Sequence, residues 1–317
     1  MIVDGALDFV LPRFSRHVWT SGAARDEWEP RMDKLRAALQ DLTLESVSQG
    51  VRASGLIQVR DGELEPLASR CADRGLTMVP LERAPSPKST TSVTAADALQ
   101  ALVCGPMPAG TETVLVGRSA TAESVSAWWD SGAHAEAATS LGYPLCCGRF
   151  LGELVDNGRL DATWSVAYNS DREANIPSHI GIRAEPETNV LWAPLGIVPV
   201  PHIPCDFGCG ASRQVGQQIT DLARVRGYEA EVSWMHQILS WPASWSALHG
   251  IAEIKTPILK MVTRTDATAA KYTVDWRGAP APDSATPGLS FPHMPPRRLK
   301  VSDSRSFQRG LANTDGD

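Results

Sequence analysis

The sequence predicts an α/β fold: a layered mixed sheet with flanking helices and a proline-rich C-terminal tail. Segments with helical periodicity alternate with short strand-like runs along much of the chain, which favours a layered α/β arrangement. Of the 317 residues, 43% are hydrophobic and 21% are charged, as is typical of a packed soluble protein. A chain of this length buries about three quarters of its unfolded surface. Because such a core needs no cross-links, any metal is expected to be functional.

The helix and strand patterns follow one another in a regular order. Between residues 26 and 53, apolar residues recur at spacings of three and four and predict a core-facing helix; they are Trp28, Met32, Leu35, Leu39 and Leu42. A β-α-β pattern follows, with a strand at 55–59, a helix at 63–74 and a strand at 76–80. Further predicted elements are a helix at 95–103, a strand at 113–116, helices at 122–129 and 211–226, and strand-like runs within 250–262.

Composition divides the chain into three parts. Residues 84–92 are rich in proline, serine and threonine and predict a loop, which separates an N-terminal α/β segment (1–85) from a second α/β domain (93–276). Proline-punctuated apolar residues at 189–199 predict buried extended chain with turns. Six prolines interrupt the last forty residues, so we expect 277–317 to wrap the surface or to be partly disordered.

Charge and hydropathy restrict the partners. Thirty basic and 36 acidic residues give a net charge of −6, and the absence of a polybasic block argues against nucleic acid or an anionic membrane. The N-terminus lacks a basic region before a long apolar stretch, and no 18-residue apolar run occurs. We therefore expect a cytoplasmic protein that acts on a small molecule, with reduced thiols.

Four of the six cysteines lie in two short segments rich in proline and glycine. Cys146 and Cys147 follow Pro144, and Cys205 and Cys209 follow Pro204. Proline suits the start of a helix, where the helix dipole favours thiolates, and helical geometry would place the second pair of sulfurs on one face. We therefore expect the two segments to meet around one inorganic centre. The isolated Cys71 and Cys104 are expected only to pack in the core.

The chemistry of that centre is open between two main interpretations. Three thiolates at helix starts suit a [4Fe–4S] cluster bound by Cys147, Cys205 and Cys209, which leaves one iron open for substrate. Adjacent side chains diverge, so only one of Cys146 and Cys147 is expected to be a ligand, and Cys147 is favoured. His202 is expected to be a further metal ligand or a hydrogen-bond donor that supports the ligands. Zinc bound by three cysteines and His202 is the alternative.

A resemblance supports the cysteine site. The run Leu-Gly-Tyr-Pro-x-Cys-Cys-x-x-Phe at 141–150, followed by His-x-Pro-Cys-x-x-x-Cys at 202–209, resembles an uncharacterised prokaryotic family with a Gly-Tyr-Pro-x-Cys-Cys signature. The resemblance covers the central and later parts of the chain. It implies a shared cysteine site and carries no activity with it.

Other residues are candidates for chemistry on a substrate. Three tryptophans within twelve residues, Trp245 among them, predict an aromatic pocket wall. The acid–base or carboxylate-binding candidates in the same region are His236, His249, Glu253 and Lys255. Arg149 and Arg213 follow cysteines closely and are candidates for binding an anionic substrate. Core packing, a surface ion pair and solvated arginines are the competing interpretations.

Three functional hypotheses follow from these observations. The first is an enzyme that uses the open iron of a three-cysteine cluster for non-radical lyase or sulfur-transfer chemistry. The second is a zinc-stabilised binding or scaffold protein, and the third is a thiol enzyme that uses the adjacent pair Cys146 and Cys147. Radical S-adenosylmethionine chemistry does not fit, because Ser212 occupies the position where its third cysteine would stand.

Overall fold

The computed structural model describes residues 14–60, 62–81, 111–131, 133–170, 178–266 and 270–278. Its helices are α1 (Gly22–Ser48), α2 (Leu64–Ala72), α3 (Ser119–Ser131), α4 (His134–Ser140), α5 (Leu145–Asp156), α6 (Thr163–Ser170), α7 (Gly210–Val225) and α8 (Glu229–Ser240). Its strands are β1 (Ser15–Trp19), β2 (Ser54–Arg60), β3 (Thr77–Pro80), β4 (Thr111–Gly117), β5 (His179–Ile182), β6 (Ala243–Leu248), β7 (Ile251–Lys255), β8 (Leu259–Arg264) and β9 (Tyr272–Trp276). Together they confirm the predicted α/β class with a mixed sheet and flanking helices.

The larger sheet has six strands in the order β1-β8-β7-β6-β9-β5. Its neighbouring strands pair antiparallel, except for β5 and β9, which pair parallel. Buried and half-buried residues alternate along β6 and β8, so one face of the sheet packs on the core. The fully buried members of that face include Trp245, Ile254, Met261 and Val274.

The smaller sheet has three strands in the order β2-β4-β3, all antiparallel to their neighbours. The predicted β-α-β pattern is therefore present as β2-α2-β3, but β4 is inserted between its two strands. Strand β4 lies beyond the predicted domain boundary at 85–93, so strand pairing crosses that boundary. Apolar residues from α1, α2 and the three strands form a separate core beneath this sheet.

Helix α1 is the predicted core-facing helix. Ser21 caps it by accepting a hydrogen bond from the Ala24 backbone N–H at 3.0 Å. Of the five residues in the predicted stripe, four are buried and Leu39 is half-buried. The helix runs from Gly22 to Ser48 and is therefore displaced toward the N-terminus from the predicted 26–53.

One expectation for the backbone differs from the structure, and several lie outside the described residues. The segment 189–199, predicted to be extended with turns, instead contains a short 3-10 helix at Val190–Leu195. The Asn189 side chain caps that helix by accepting from the Leu191 N–H at 3.0 Å, which stabilises the turn over extended chain. The loop at 84–92, the helix at 95–103, Cys104 and nearly all of the predicted tail lie outside the described residues. None of the described helices is long and apolar enough to cross a membrane.

Candidate metal centre

The two cysteine segments meet in space. The sulfur atoms of Cys146, Cys147, Cys205 and Cys209 all lie within 4.8 Å of one another. Cys147 Sγ is 3.7 Å from Cys209 Sγ, and Cys146 Sγ is 3.8 Å from each of these two sulfurs. The four cysteines form a group that can bind a metal ion, as the sequence predicted. We call this group the cysteine cluster.

The first segment reaches the cluster through a tight turn into α5. Gly142 has a φ of +84°, a left-handed conformation that favours glycine, and a Cβ at this position would lie 3.0 Å from the Cβ of Arg52. Pro144 is the N-cap of α5, one residue before the helix rather than inside its first turn. Cys146 and Cys147 therefore lie in the first turn, at the positive end of the helix dipole.

The adjacent cysteines both belong to the cluster. That only one of them, Cys147, binds the metal stays a prediction. At the end of a helix both side chains can approach a group that lies ahead of the first turn, even though their directions diverge around the helix axis. Cys147 is fully buried, whereas Cys146 is exposed. With Cys205 half-buried, the cluster lies between the core and the surface.

The second segment reaches the cluster as a loop rather than as a helical turn. Cys205 precedes a turn closed by hydrogen bonds to Asp206, whose backbone oxygen accepts from Cys209 N–H at 3.3 Å and whose Oδ1 accepts from Gly208 N–H at 2.7 Å. Helix α7 begins only at Gly210, with Cys209 as its N-cap. The predicted helical face for Cys205 and Cys209 is therefore wrong, but the turn brings their sulfurs together. The segment 205–209 is called the cysteine loop below.

Hydrogen bonds from two backbone N–H groups and a nearby hydroxyl to the sulfurs stabilise the cluster. The Cys205 N–H donates to Cys147 Sγ at 3.4 Å, and the Ser212 N–H donates to Cys209 Sγ at 3.5 Å. The Ser212 hydroxyl oxygen lies 3.2 Å from Cys147 Sγ. Donors of this kind favour thiolate over thiol, which is the form that binds a metal ion.

His202 contacts the cluster indirectly. Its Nε2 lies 2.7 Å from the Ser212 hydroxyl oxygen, which in turn faces Cys147, so the residues form a chain from imidazole through hydroxyl to sulfur. Burial, with the nearby Arg52 charge, lowers the pKa of His202 to about 3, and the ring is neutral at pH 7. Of the two predicted roles, metal ligand or hydrogen-bond donor that supports the ligands, this placement fits the donor.

Two of the four thiols, those of Cys147 and Cys205, resist ionisation. Burial, together with the neighbouring sulfurs, raises the pKa of Cys147 to about 12 and also raises the pKa of Cys205. Burial acts against ionisation of Cys209 as well, but hydrogen bonds from Ser212 hold its pKa below the usual value. Four thiolates this close together need a bound cation to offset their charge.

Two residues near the cluster were not recognised as candidates from the sequence. Ser212 was considered only as a missing cysteine, although a serine three residues after an N-cap can donate through both its N–H and its hydroxyl. Arg52 is distant in sequence from both segments, and its guanidinium is buried with its Nε donating to Ser46 Oγ at 2.8 Å. Burial lowers the pKa of Arg52 to about 10, so it remains a cation at pH 7.

A partly open cavity of about 540 Å³ lies beside the cysteine loop. It is lined by the end of α6, by the end of β5 with the residues after it, and by residues 206–208 of the loop. Asn169 Nδ2 donates to the Cys205 carbonyl oxygen at 3.1 Å, and the Phe207 N–H donates to Ser170 Oγ at 2.7 Å. The wall of the cavity and the backbone of the cysteine loop are therefore joined.

The other predicted site residues lie on several elements. Trp245 is fully buried on β6, so the predicted pocket wall at this position is core packing. Glu253 and Lys255 share a face of β7 and form a partly exposed ion pair at 2.9 Å. His236 is half-buried on α8, and His249 is exposed in the turn between β6 and β7. The catalytic roles of these residues stay predictions.

Arg149 and Arg213 are exposed on α5 and α7. Each lies about one helical turn after a cluster cysteine, Arg149 after Cys146 and Arg213 after Cys209. Cys71 is buried in the core beneath the smaller sheet, as expected for a packing residue. Among the described residues, the cysteine cluster brings together all four cysteines that the sequence placed in it.

Comparisons with known proteins do not assign the chain to a family. No protein-family model, curated protein or solved structure matches it. Function is therefore inferred from the geometry of the cluster and of the adjacent cavity.

Proposed function

We propose that the four cysteines bind a single zinc ion as a tetrahedral tetrathiolate centre. The observation that carries this proposal is the sulfur–sulfur spacing of 3.7–3.8 Å among three of the cysteines. A tetrahedron with zinc–sulfur bonds of about 2.3 Å has an edge of about 3.8 Å. The spacing of these three therefore suits thiolates that share one ion, and Cys205, whose sulfur lies within 4.8 Å of theirs, would complete the four ligands.

An iron–sulfur enzyme is the second candidate. It is supported by the exposed position of Cys146, which suits a centre with an accessible coordination position, and by the cavity beside the cysteine loop. In a cubane, however, each cysteine binds a different iron, which sets the sulfurs further apart than the edge of a single-ion tetrahedron. The spacing favours the mononuclear centre.

A four-cysteine zinc centre is typically structural. Here it would join the start of α5, the cysteine loop and the start of α7. Because the loop also forms a wall of the cavity, the ion would hold that wall in place. The proposed function is thus that of a zinc-stabilised protein that binds a small molecule. The resemblance to the Gly-Tyr-Pro-x-Cys-Cys family supports this proposal, because it implies a shared cysteine site.

Metal and acid-labile sulfide content of protein purified without oxygen tests the proposal. We expect one zinc per chain, no sulfide and no absorbance near 400 nm. Iron with equimolar sulfide would overturn the zinc centre in favour of the cluster enzyme, and metal-free protein with reactive thiols would overturn both.

Substitutions test the assignment of the ligands. Cys147→Ser and Cys209→Ser are expected to lose the metal, whereas Cys71→Ser, a buried cysteine outside the cluster, is expected to keep it. Equal metal content in the three variants would contradict the assignment. Cobalt substitution adds an independent readout, because the intensity of its visible bands reports tetrahedral thiolate coordination.

A further inference from the structure

The cavity beside the cysteine loop lies at the carboxyl ends of two parallel strands. Residues 181–184, at the end of β5 and just beyond it, form one wall. Strand β9 runs parallel to β5, with Ile182 opposite Trp276, so both strands end at this edge of the sheet. Small molecules commonly bind at the carboxyl ends of parallel strands, and the volume of about 540 Å³ lies in the range of small-molecule pockets.

Each of the two strands is followed by an arginine. Arg183 comes directly after β5 and lines the cavity. Arg277 comes directly after β9, and its guanidinium lies against Gly181, where a Cβ would be 2.5 Å from its Nη2 atom. Gly181 is itself a lining residue, and the absence of a side chain there leaves room for the guanidinium at the cavity wall.

Neither guanidinium forms an ion pair with another residue in the described ranges. The nearest carboxylate along β9, that of Asp275, lies 3.3 Å from His179 Nε2. One cation, Arg183, therefore lines the cavity, and a second, Arg277, lies against the lining residue Gly181, in a protein whose net charge is −6. Guanidinium groups bind carboxylate and phosphate oxygens through paired N–H donors, so these residues suit an oxyanion.

The cavity also has an acidic lining residue, Asp206. Its Oδ1 accepts from the Gly208 N–H at 2.7 Å, and its Oδ2 lies 3.5 Å from Cys205 Sγ. A carboxylate repels an anion and accepts hydrogen bonds from a hydroxyl or amino group. A ligand with both kinds of group would therefore place its oxyanion at the arginines and its donor group at Asp206.

We infer that this cavity binds a small carboxylate or phosphate that also carries a hydroxyl or amino group, with Arg183 and Arg277 holding the oxyanion and Asp206 accepting from the donor group. The inference rests on the proposed function for the role of the metal, since the cysteine loop supplies Asp206 to the site. It does not depend on whether that metal is zinc or part of a cluster.

Calorimetric titration of the metal-loaded protein tests this assignment, with malate, glycerol 3-phosphate, inorganic phosphate and glycerol as probes. We expect malate or glycerol 3-phosphate to bind more tightly than inorganic phosphate, and glycerol not to bind. Arg183→Gln and Arg277→Gln should each weaken binding about tenfold or more, because each removes a charged hydrogen-bond donor. Arg224→Gln, an exposed arginine at the end of α7, is the matched control and should bind as wild type does.

Asp206→Asn tests the role of Asp206 separately from that of the arginines. It should reduce the preference for malate and glycerol 3-phosphate over inorganic phosphate without abolishing phosphate binding. No binding of any anionic probe, or equal binding by Arg183→Gln and Arg224→Gln, would overturn the inference. Metal content is measured on the same samples, so failure to bind anions at full metal content refutes the cavity assignment alone, whereas protein without metal refutes the proposed centre.

Discussion

Replacement of Ser212 by alanine is the sharpest perturbation of the proposed centre that leaves every ligand in place. The side chain is fully buried, and its hydroxyl oxygen lies 3.2 Å from Cys147 Sγ and 2.7 Å from His202 Nε2. In the metal-bound form Cys147 is a thiolate, so the hydroxyl donates to sulfur and accepts from the imidazole N–H. Ser212→Ala removes the donor to the thiolate and leaves His202 without its partner at Nε2.

The expected loss of metal affinity follows from these contacts. A hydrogen bond to a charged group contributes about 1.5–3 kcal/mol, which corresponds to about 10- to 100-fold in the dissociation constant of the metal. Loss of a residue that forms a hydrogen bond to a metal ligand typically has a similar effect. The Ser212 backbone N–H still donates to Cys209 in the variant, so we expect weaker binding rather than none.

Competition with a coloured zinc chelator measures the affinity of wild type and variant. Thr220→Val is the matched control, because Thr220 is buried on the same helix two turns further along and lies outside the cluster. It should change metal affinity less than twofold, about 0.4 kcal/mol. If Ser212→Ala also bound zinc within twofold of wild type, the chain from His202 through Ser212 to Cys147 would have no role in stabilising the bound metal.

Three further substitutions test other parts of the structure. Burial and the neighbouring Asp161 raise the pKa of Asp266 to about 6. The folded state therefore keeps a proton that the unfolded chain loses near pH 4. As a result, the free energy of unfolding falls as pH rises from about 4 to about 6. Asp266→Asn should flatten that fall by up to about 3 kcal/mol, measured as the difference between urea unfolding free energies at pH 4 and pH 7. Gly142→Ala should destabilise the protein by about 1–3 kcal/mol and lower its metal content, while Gly158→Ala, with positive φ but open space around it, should leave the metal content unchanged. Asn189→Ala should cost about 2–3 kcal/mol in urea unfolding, because its fully buried amide bonds two backbone groups at 2.8 and 3.0 Å.

Local patterns predicted most of the described elements but not their arrangement. The apolar stripe of α1 predicted a core-facing helix because periodicity depends only on residues close in sequence. The place of β4 between β2 and β3 was not predicted, because the pairing of strands about 35 to 60 residues apart leaves no periodic signal. The 3-10 helix after Asn189 was predicted as extended chain, since its proline obscured the capping function of the asparagine side chain.

In the candidate site, too, local features were predicted from the sequence and parts of their arrangement were not. Spacing and proline placement predicted that the two cysteine segments meet, and the structure confirms it. Only one of Cys146 and Cys147 was expected to bind the metal, because adjacent side chains diverge; both sulfurs nevertheless lie in the cluster, since both side chains can approach a group ahead of the first helical turn. Trp245 was predicted to line a pocket, but composition alone cannot separate an aromatic wall from a packed core, and this ring lies in the core. The cavity arises from segments far apart in sequence and had no local signal.

The positive ends of two helices bear on the charge of the proposed metal centre. Cys146 and Cys147 lie in the first turn of α5, and Cys209 is the N-cap of α7. Four thiolates alone would carry a charge of −4, which two helix ends of about half a unit charge each do not balance. With a divalent ion the net charge falls to −2, and the two helix dipoles offset part of it. The Arg52 charge acts on the His202 ring, since its guanidinium lies against Gly55 and donates to Ser46. A bound cation, rather than a charge of the protein itself, is therefore what would allow the sulfurs to be thiolates together.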